Sequence, residues 1–297
     1  MAGPQPGIFI EGNRHHTFLE YAARAAAGDD GIKAAVADSL KEAGEETTHT
    51  VVAFGPDLWT RLAPGAVPDG LASFAPIEGL DGKSAPSTQR DLFYWIQGAG
   101  VDDVFDRMRA VDRAVRPVAD LELEQAGFVY RDSRDLTGFV DGTANPKDDA
   151  RFEAALVPDG APGAGGAFVL SQRWVHDLDA FNALPMAEQE RVIGRTKPDS
   201  IELEGDAMPA DSHVSRTDLK VDAVAMKIWR RSVPFGSAAE MGLYFLAFAC
   251  DLVRFDVQLQ SMFGATGDGV RDRLTDFSRP VTGSYWFAPP ADDLAAL

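Results

Sequence analysis

Apolar residues along the chain alternate between strand-like and helix-like spacing, and the same order of elements occurs twice. In the first half, Thr17–Ala23 and THTVVAFG (Thr48–Gly55), the latter rich in β-branched and aromatic residues, predict strands. DLFYWIQG (Asp91–Gly98) predicts another and runs into the helical pattern VDDVFDRMRAVDRAV. In the second half, GAFVLSQRWV (Gly166–Val175) and DAVAMKIWRR (Asp222–Arg231) read as strands. GLYFLAFA (Gly242–Ala249) then leads into DLVRFDVQLQSMF, where Leu252, Phe255, Leu259 and Met262 recur at helical spacing, and Ser284–Phe287 closes the half. Each half can be written β-α-β-β-α-β, so the expected class is α+β, with antiparallel sheets carrying helices on one face. A single irregular α+β domain without duplication is the alternative that periodicity leaves open. Segments rich in Gly and Pro, Gly55–Pro86 and Pro158–Gly166, are expected loops, and the connection between halves is expected near Gly142–Gly165, dividing the chain into 1–142 and 143–297.

A length of 297 residues fits two domains or one large one. Lys and Arg number 28 against 46 Asp and Glu, a formal charge of −18, which repels phosphate backbones and anionic membranes. Nucleic acid and membrane are therefore not expected partners. Cysteine occurs once, at Cys250, which excludes intrachain disulfides and thiolate-rich metal centres. A nitrogen-ligated cofactor must choose among five histidines. MAGPQPGIFIEGN precedes the first basic residue, Arg14, and lacks the features of a signal peptide, while the longest apolar run, Met241–Cys250, is too short to span a bilayer. A cytoplasmic location is the expectation.

Three features carry candidate chemistry. Arg230 ends the apolar face Val224, Met226, Ile228 of an expected strand, so its guanidinium either reaches water along its stem or enters a polar pocket. GFVDGTANP (Gly138–Pro146) brackets Asp141 with glycines in a loop that aims one carboxylate. Among the histidines, His15 and His16 diverge as neighbours, His49 begins a strand, and His176 shares a face with Phe168 and Leu170 as a core histidine would. His213 stands in the long segment between Arg195 and Val221 that interrupts the second repeat, where either a surface role or a binding role is open.

GFVDGTANP, DSHVSR around His213, RRSVPFG (Arg230–Gly236) and DRLTDFSRPVTGSYWFAP (Asp272–Pro289), together with the opening GNRHHTFLEY, resemble in sequence and order the dye-decolourising peroxidases, particularly their compact bacterial B-type subgroup. The resemblance spans nearly the whole chain and implies two ferredoxin-like halves with haem b bound in the C-terminal half. It implies that His213 is the proximal iron ligand, backed by a carboxylate for which Asp276 is the first choice and Asp272 the second. Asp141 matches the family's distal acid–base residue and Arg230 its distal arginine, whose charge would hold Asp141 ionised and stabilise the breaking O–O bond. Gly142, Thr143, Arg216, Ser232, Leu243 and Phe245 are implied cofactor contacts. Many relatives carry Asn two positions after the distal Arg, where this chain has the shorter Ser232.

The implied activity is reduction of H2O2 by way of a ferryl intermediate, with oxidation of small or dye-like donors. Bulky donors would pass electrons through aromatic residues near the surface, with Trp174, Tyr285 and Trp286 as candidates. A haem-handling protein with incidental peroxidase turnover is the alternative that the related folds leave open. The resemblance also implies a homo-oligomer. The ending PPADDLAAL follows soon after the last expected strand, so a nanocompartment-docking tail is not expected.

Overall fold

The computed structural model describes residues 3–41 and 47–297. The first half supplies β1 (His15–Ala23), α1 (Gly28–Ser39), β2 (Thr48–Phe54), β3 (Leu92–Gly98), α2 (Val101–Val115) and β4 (Ala119–Phe128). Their spatial order is β2-β3-β1-β4, all antiparallel. The second half supplies β5 (Ala167–His176), α3 (His213–Thr217), β6 (Trp229–Arg230), β7 (Val233–Gly236), β8 (Met241–Ala249), α4 (Val253–Met262), β9 (Ser278–Pro280) and β10 (Ser284–Ala288). Here β6 and β7 pair with β8, which pairs with β5, which pairs with β10. Second strand, third, first, fourth is the order in both halves, so the repeated pattern in the sequence is a repeated ferredoxin-like topology. A bridge between Phe54 and Phe287 joins the two into one sheet of ten strands.

Strand alternation sends one set of side chains to each face. On one face, Leu19, Val52, Tyr94 and Ile96 pack beneath Ile32 and Val36 of α1 and Val104, Val111 and Val115 of α2. On the other, Phe18, Val51, Phe93 and Trp95 of the first half meet Val169, Tyr244, Leu246, Phe248 and Trp286 of the second. The Phe18 and Tyr244 rings stack at 3.8 Å between centroids. The sheet thus folds back on itself and encloses an aromatic layer built from both halves.

Two expectations are corrected. The segment Gly55–Pro86 is not all loop: Gly55 precedes a helix over Pro56–Leu62, with proline at the first helical turn and Leu58, Trp59 and Leu62 buried. Nor is Asp222–Arg231 one strand. Asp222 and Ala223 have φ of 49° and 67° and form a two-residue turn between short strands 220–221 and 224–225, so pairing with the main sheet begins only at Trp229. Among the described residues, no helix is long and apolar enough to cross a membrane.

Candidate active site

A cavity of about 410 Å³ lies in the second half, outside the inter-sheet layer. Its wall is the outward face of the half-sheet, Leu170, Gln172, Trp174 and His176 from β5 and Leu243 and Phe245 from β8; Phe255, Leu259 and Met262 of α4 lie opposite. Gln172 Oε1 accepts from Trp174 Nε1, while Gln172 Nε2 is buried without a partner. A buried amide with an unspent donor is costly unless a ligand meets it.

His213 opens α3, where Ser212 caps the helix by accepting from the Ser215 N–H. Its Nδ1 lies 2.6 Å from Oδ2 of Asp272, whose side chain has no exposure. The other carboxylate oxygen accepts from the Leu274 N–H at 2.8 Å, which fixes Asp272 at the start of a short 3₁₀ turn. A carboxylate only accepts, so Nδ1 carries the hydrogen and the Nε2 lone pair is left for the cavity that His213 lines.

Asp276 is therefore not the carboxylate behind His213. It stands at the other end of the 3₁₀ turn and pairs outward with Arg271 at 2.9 Å and Lys83 at 3.3 Å. Asp272, the second choice, occupies the place.

On the opposite side, the loop Gly138–Pro146 brings Asp141 to the cavity. Gly138 and Gly142 have φ of 91° and 79°, the left-handed region where a side chain would be strained. Burial pushes the Asp141 carboxyl above its ordinary range and prevails over Arg230, whose charge pulls it down; the Asp135 charge adds to the rise. The charge of Arg230 therefore acts on Asp141 in the expected direction without being the dominant influence.

Arg230 lines the cavity and forms no ion pair among the described residues. It is held by Asn145, of the same loop as Asp141. The Arg230 N–H and Nε donate to Asn145 Oδ1 at 3.1 and 3.3 Å, and Asn145 Nδ2 donates to the Arg230 carbonyl at 2.9 Å. A turn closed by Asn145 N–H to Gly142 C=O at 2.9 Å makes one rigid unit of the acid and the group that holds the arginine.

A second histidine and carboxylate sit below. His176 has Nδ1 at 2.7 Å from Ser278 Oγ and Nε2 at 3.1 Å from Asp135 Oδ1. Burial pushes the Asp135 carboxyl up, but the hydrogen bond and charge of His176 and two bonds from Thr137 outweigh it, so Asp135 lies below its ordinary range.

Sequence profiles describing the N-terminal and C-terminal parts of the Dyp-type peroxidases match residues 11–129 and 132–293. The chain belongs to the Dyp-type peroxidase family. It is 38% identical over 248 residues to a dye-decolorizing peroxidase of Rhodococcus erythropolis, covering 82% of this chain and 72% of that one. A Dyp-type peroxidase protein from Shewanella oneidensis superposes with a TM-score of 0.94 at 34% identity, over 100% of this chain and 99% of that one. A single-residue variant of Rhodococcus jostii RHA1 DypB in complex with heme superposes at 0.89 with 37% identity, over 99% of each chain.

Within this Dyp-type peroxidase, Asp141, Gly142, Thr143, His213, Arg230, Leu243 and Phe245 all line the one cavity. Ser232 and Arg216 do not line it. The Ser232 hydroxyl accepts from the Leu246 N–H at 3.2 Å, inside the junction of β6 and β7 with β8. The Arg216 guanidinium turns away to Asp268 at 2.8 Å and the Ser261 carbonyl at 3.1 Å, tying α3 to the end of α4. The expected surface relays are all buried: Trp174 in the cavity wall, Tyr285 beneath Phe255 and Trp286 in the inter-sheet layer. Asn145, Asp135 and Gln172 were missed, although Asn145 stood inside the quoted loop motif and Gln172 alternates with Leu170 and Trp174 on one strand face.

Proposed function

We propose that the cavity between α4 and the second half-sheet holds haem b and that the protein is a haem peroxidase reducing H2O2 at the expense of organic donors, dyes among them. The observation that carries this is the His213–Asp272 pair: an imidazole fixed through Nδ1 by a wholly buried carboxylate, on a ring that lines a largely apolar cavity. The unspent donor of Gln172 and the apolar wall of Leu170, Leu243 and Phe245 fit a large flat ligand with a few polar contacts. When bound, the haem iron supplies the redox centre at which peroxide is reduced.

The chain's own residues manage protons and charge. His213 would hold the iron, and Asp272 would make its imidazole a stronger electron donor. Asp141, in its ionised form, takes a proton from H2O2 and returns it to the departing oxygen, so that water leaves. Arg230 offers a fixed positive charge to the oxygen that becomes negative as the O–O bond opens. Ser232, committed to the sheet, takes no part, so the arginine is the principal donor on that side. Asn145 keeps it pointing into the cavity, in a chain whose β6 is only two residues long.

The net charge of −18 favours cationic or neutral donors over anionic dyes. The haem-handling alternative is not favoured, since the relatives that match most of both chains are dye-decolorizing peroxidases. We further place the protein in the cytoplasm, divide the chain at 1–142 and 143–297, with the cavity in the second part, and expect a homo-oligomer. Absorption spectra of the haem-loaded protein and of His213→Ala test the assignment: the variant loses haem or changes its coordination bands, and an unchanged spectrum would mean another residue holds the iron.

A further inference from the structure

The mechanism above leaves several buried titratable groups unused, Glu20 among them. Glu20 of β1 is 1% exposed and sits in the inter-sheet layer. Its Oε1 accepts from the Tyr244 phenol at 2.7 Å and the Ser171 hydroxyl at 3.3 Å, and Ser171 Oγ in turn accepts from Trp286 Nε1 at 2.9 Å. Tyr244 and Ser171 lie directly behind the cavity. Tyr244 stands between Leu243 and Phe245, and Ser171 between Leu170 and Gln172, and all four neighbours line the wall. One sheet's thickness therefore separates the phenol from the site of peroxide reduction.

We propose that Tyr244 and Glu20 form a proton-coupled redox site that takes up an oxidising equivalent from the cavity. The reaction balances as follows. Reduction of H2O2 to two waters needs two electrons and two protons; the protons come from solvent water, one electron comes from an organic donor, and Tyr244 gives the other across the sheet while its phenolic proton moves along the existing hydrogen bond to the Glu20 carboxylate. A neutral tyrosyl radical and a protonated Glu20 result. An electron from an external donor reverses both changes.

The choice of Tyr244 among the five tyrosines follows from burial. A phenol gives up its proton once oxidised, and the fate of that proton decides whether the step is reversible. Tyr285 donates to Asp256, which is exposed, and Tyr21 to the partly exposed Asp112, so water can carry those protons away. Tyr244 alone donates to a carboxylate as buried as itself, which keeps the proton for return. A glutamine could satisfy the same two hydroxyls without the cost of burying an acid; the property that glutamate adds is basicity. Burial pushes Glu20 up to about 7, so near neutral pH a substantial part of it is ionised and able to accept. The stack of Tyr244 on Phe18 at 3.8 Å, with Phe93 and Trp286 next in line, surrounds the radical with polarisable rings and no exposed path.

The inference rests on the peroxidase reading, and one experiment separates the two. The haem-loaded protein is mixed with one equivalent of H2O2, frozen within milliseconds, and examined by electron paramagnetic resonance, with peroxide consumption measured in the same samples. Ring-deuterated tyrosine identifies the radical by the change in its hyperfine splitting. A tyrosyl signal is expected, absent in Tyr244→Phe, absent in Glu20→Gln, which keeps an acceptor for the phenol but not a base, and undiminished in Tyr285→Phe. Peroxide consumed with no tyrosyl signal, or a signal that survives in Tyr244→Phe or Glu20→Gln, overturns the redox site and leaves the peroxidase standing.

Discussion

Glu20 also sets a measurable dependence of stability on pH. Its pKa is raised from 4.5 to about 7, because burial outweighs the hydrogen bonds from Tyr244 and Ser171 and the charge of Arg90. A raised pKa means that the folded protein holds a proton the unfolded chain has released. The corresponding stability is fully present below about 4.5 and is lost as pH rises through about 7. A shift of this size amounts to about 3 kcal/mol, at 1.36 kcal/mol per unit. That is a large share of the roughly 5–15 kcal/mol by which domains are stable. Glu20→Gln removes the titration and keeps an oxygen for the Tyr244 phenol. Urea unfolding midpoints of the two proteins are to be compared at pH 5, 6, 7 and 8 with haem loading held fixed, because bound ligand shifts midpoints by itself. The difference between the variant and the parent should move in favour of the variant by about 2.5 kcal/mol across that range, roughly 1 M in midpoint. Any strain of the new amide adds the same offset at every pH and leaves this slope untouched. A difference that does not change with pH would refute the argument that Glu20 is buried against its ionisation.

Asp272→Asn should weaken haem binding by about 10–100-fold and shift the coordination bands, while Asp276→Ala leaves both unchanged; haem titration followed by absorbance compares them. The rate of reaction with H2O2, measured by stopped flow, should rise with pH as Asp141 ionises, through a pKa above the ordinary carboxylate range, and Arg230→Leu should move that midpoint higher because a lowering charge is lost. Asn145→Ala should retain haem yet lower kcat/KM for peroxide by as much as about 100-fold, through misplacement of Arg230, and should have no further effect in an Arg230→Leu background. Gly142→Ala should cost about 1 kcal/mol by thermal unfolding, since φ at 79° is unfavourable for a side chain.

What the sequence conveyed best were the long strands with unbroken patterns, β2, β3, β5 and β8, and the order that repeats them. It conveyed β4 poorly, because DLELEQ offers only two leucines among acidic residues and is exposed for much of its length. The break at Asp222 and Ala223 was hard to see because Ala223 is not a usual choice for the left-handed conformation that both adopt, although Asp222 is. Asp141, Arg230 and His213 were legible as parts of extended motifs. Asp272 and Asp276 are hard to separate because both lie in one short segment, and only their places on the 3₁₀ turn, one capping its start and the other at its end, decide which of them faces inward. Of the contacts that the resemblance implies, Ser232 is carried away from the cavity because strand pairing breaks between Arg230 and Val233, and Arg216 because it lies on the far side of a short helix.

The aromatic layer between the two half-sheets bears on how the molecule could have been assembled from a duplicated unit. Phe18, Phe93 and Trp95 come from one copy and Tyr244, Phe248 and Trp286 from the other, so each covers the bare face of its twin as two subunits of a dimer would. Cutting the chain after residue 142 would leave each fragment with that face open to water, sticky and without the partner it was shaped to meet. The first copy thus works as a permanently tethered chaperone for the one that holds the cavity, and apart from Glu20 its inward face is constrained by the shape of that shared surface.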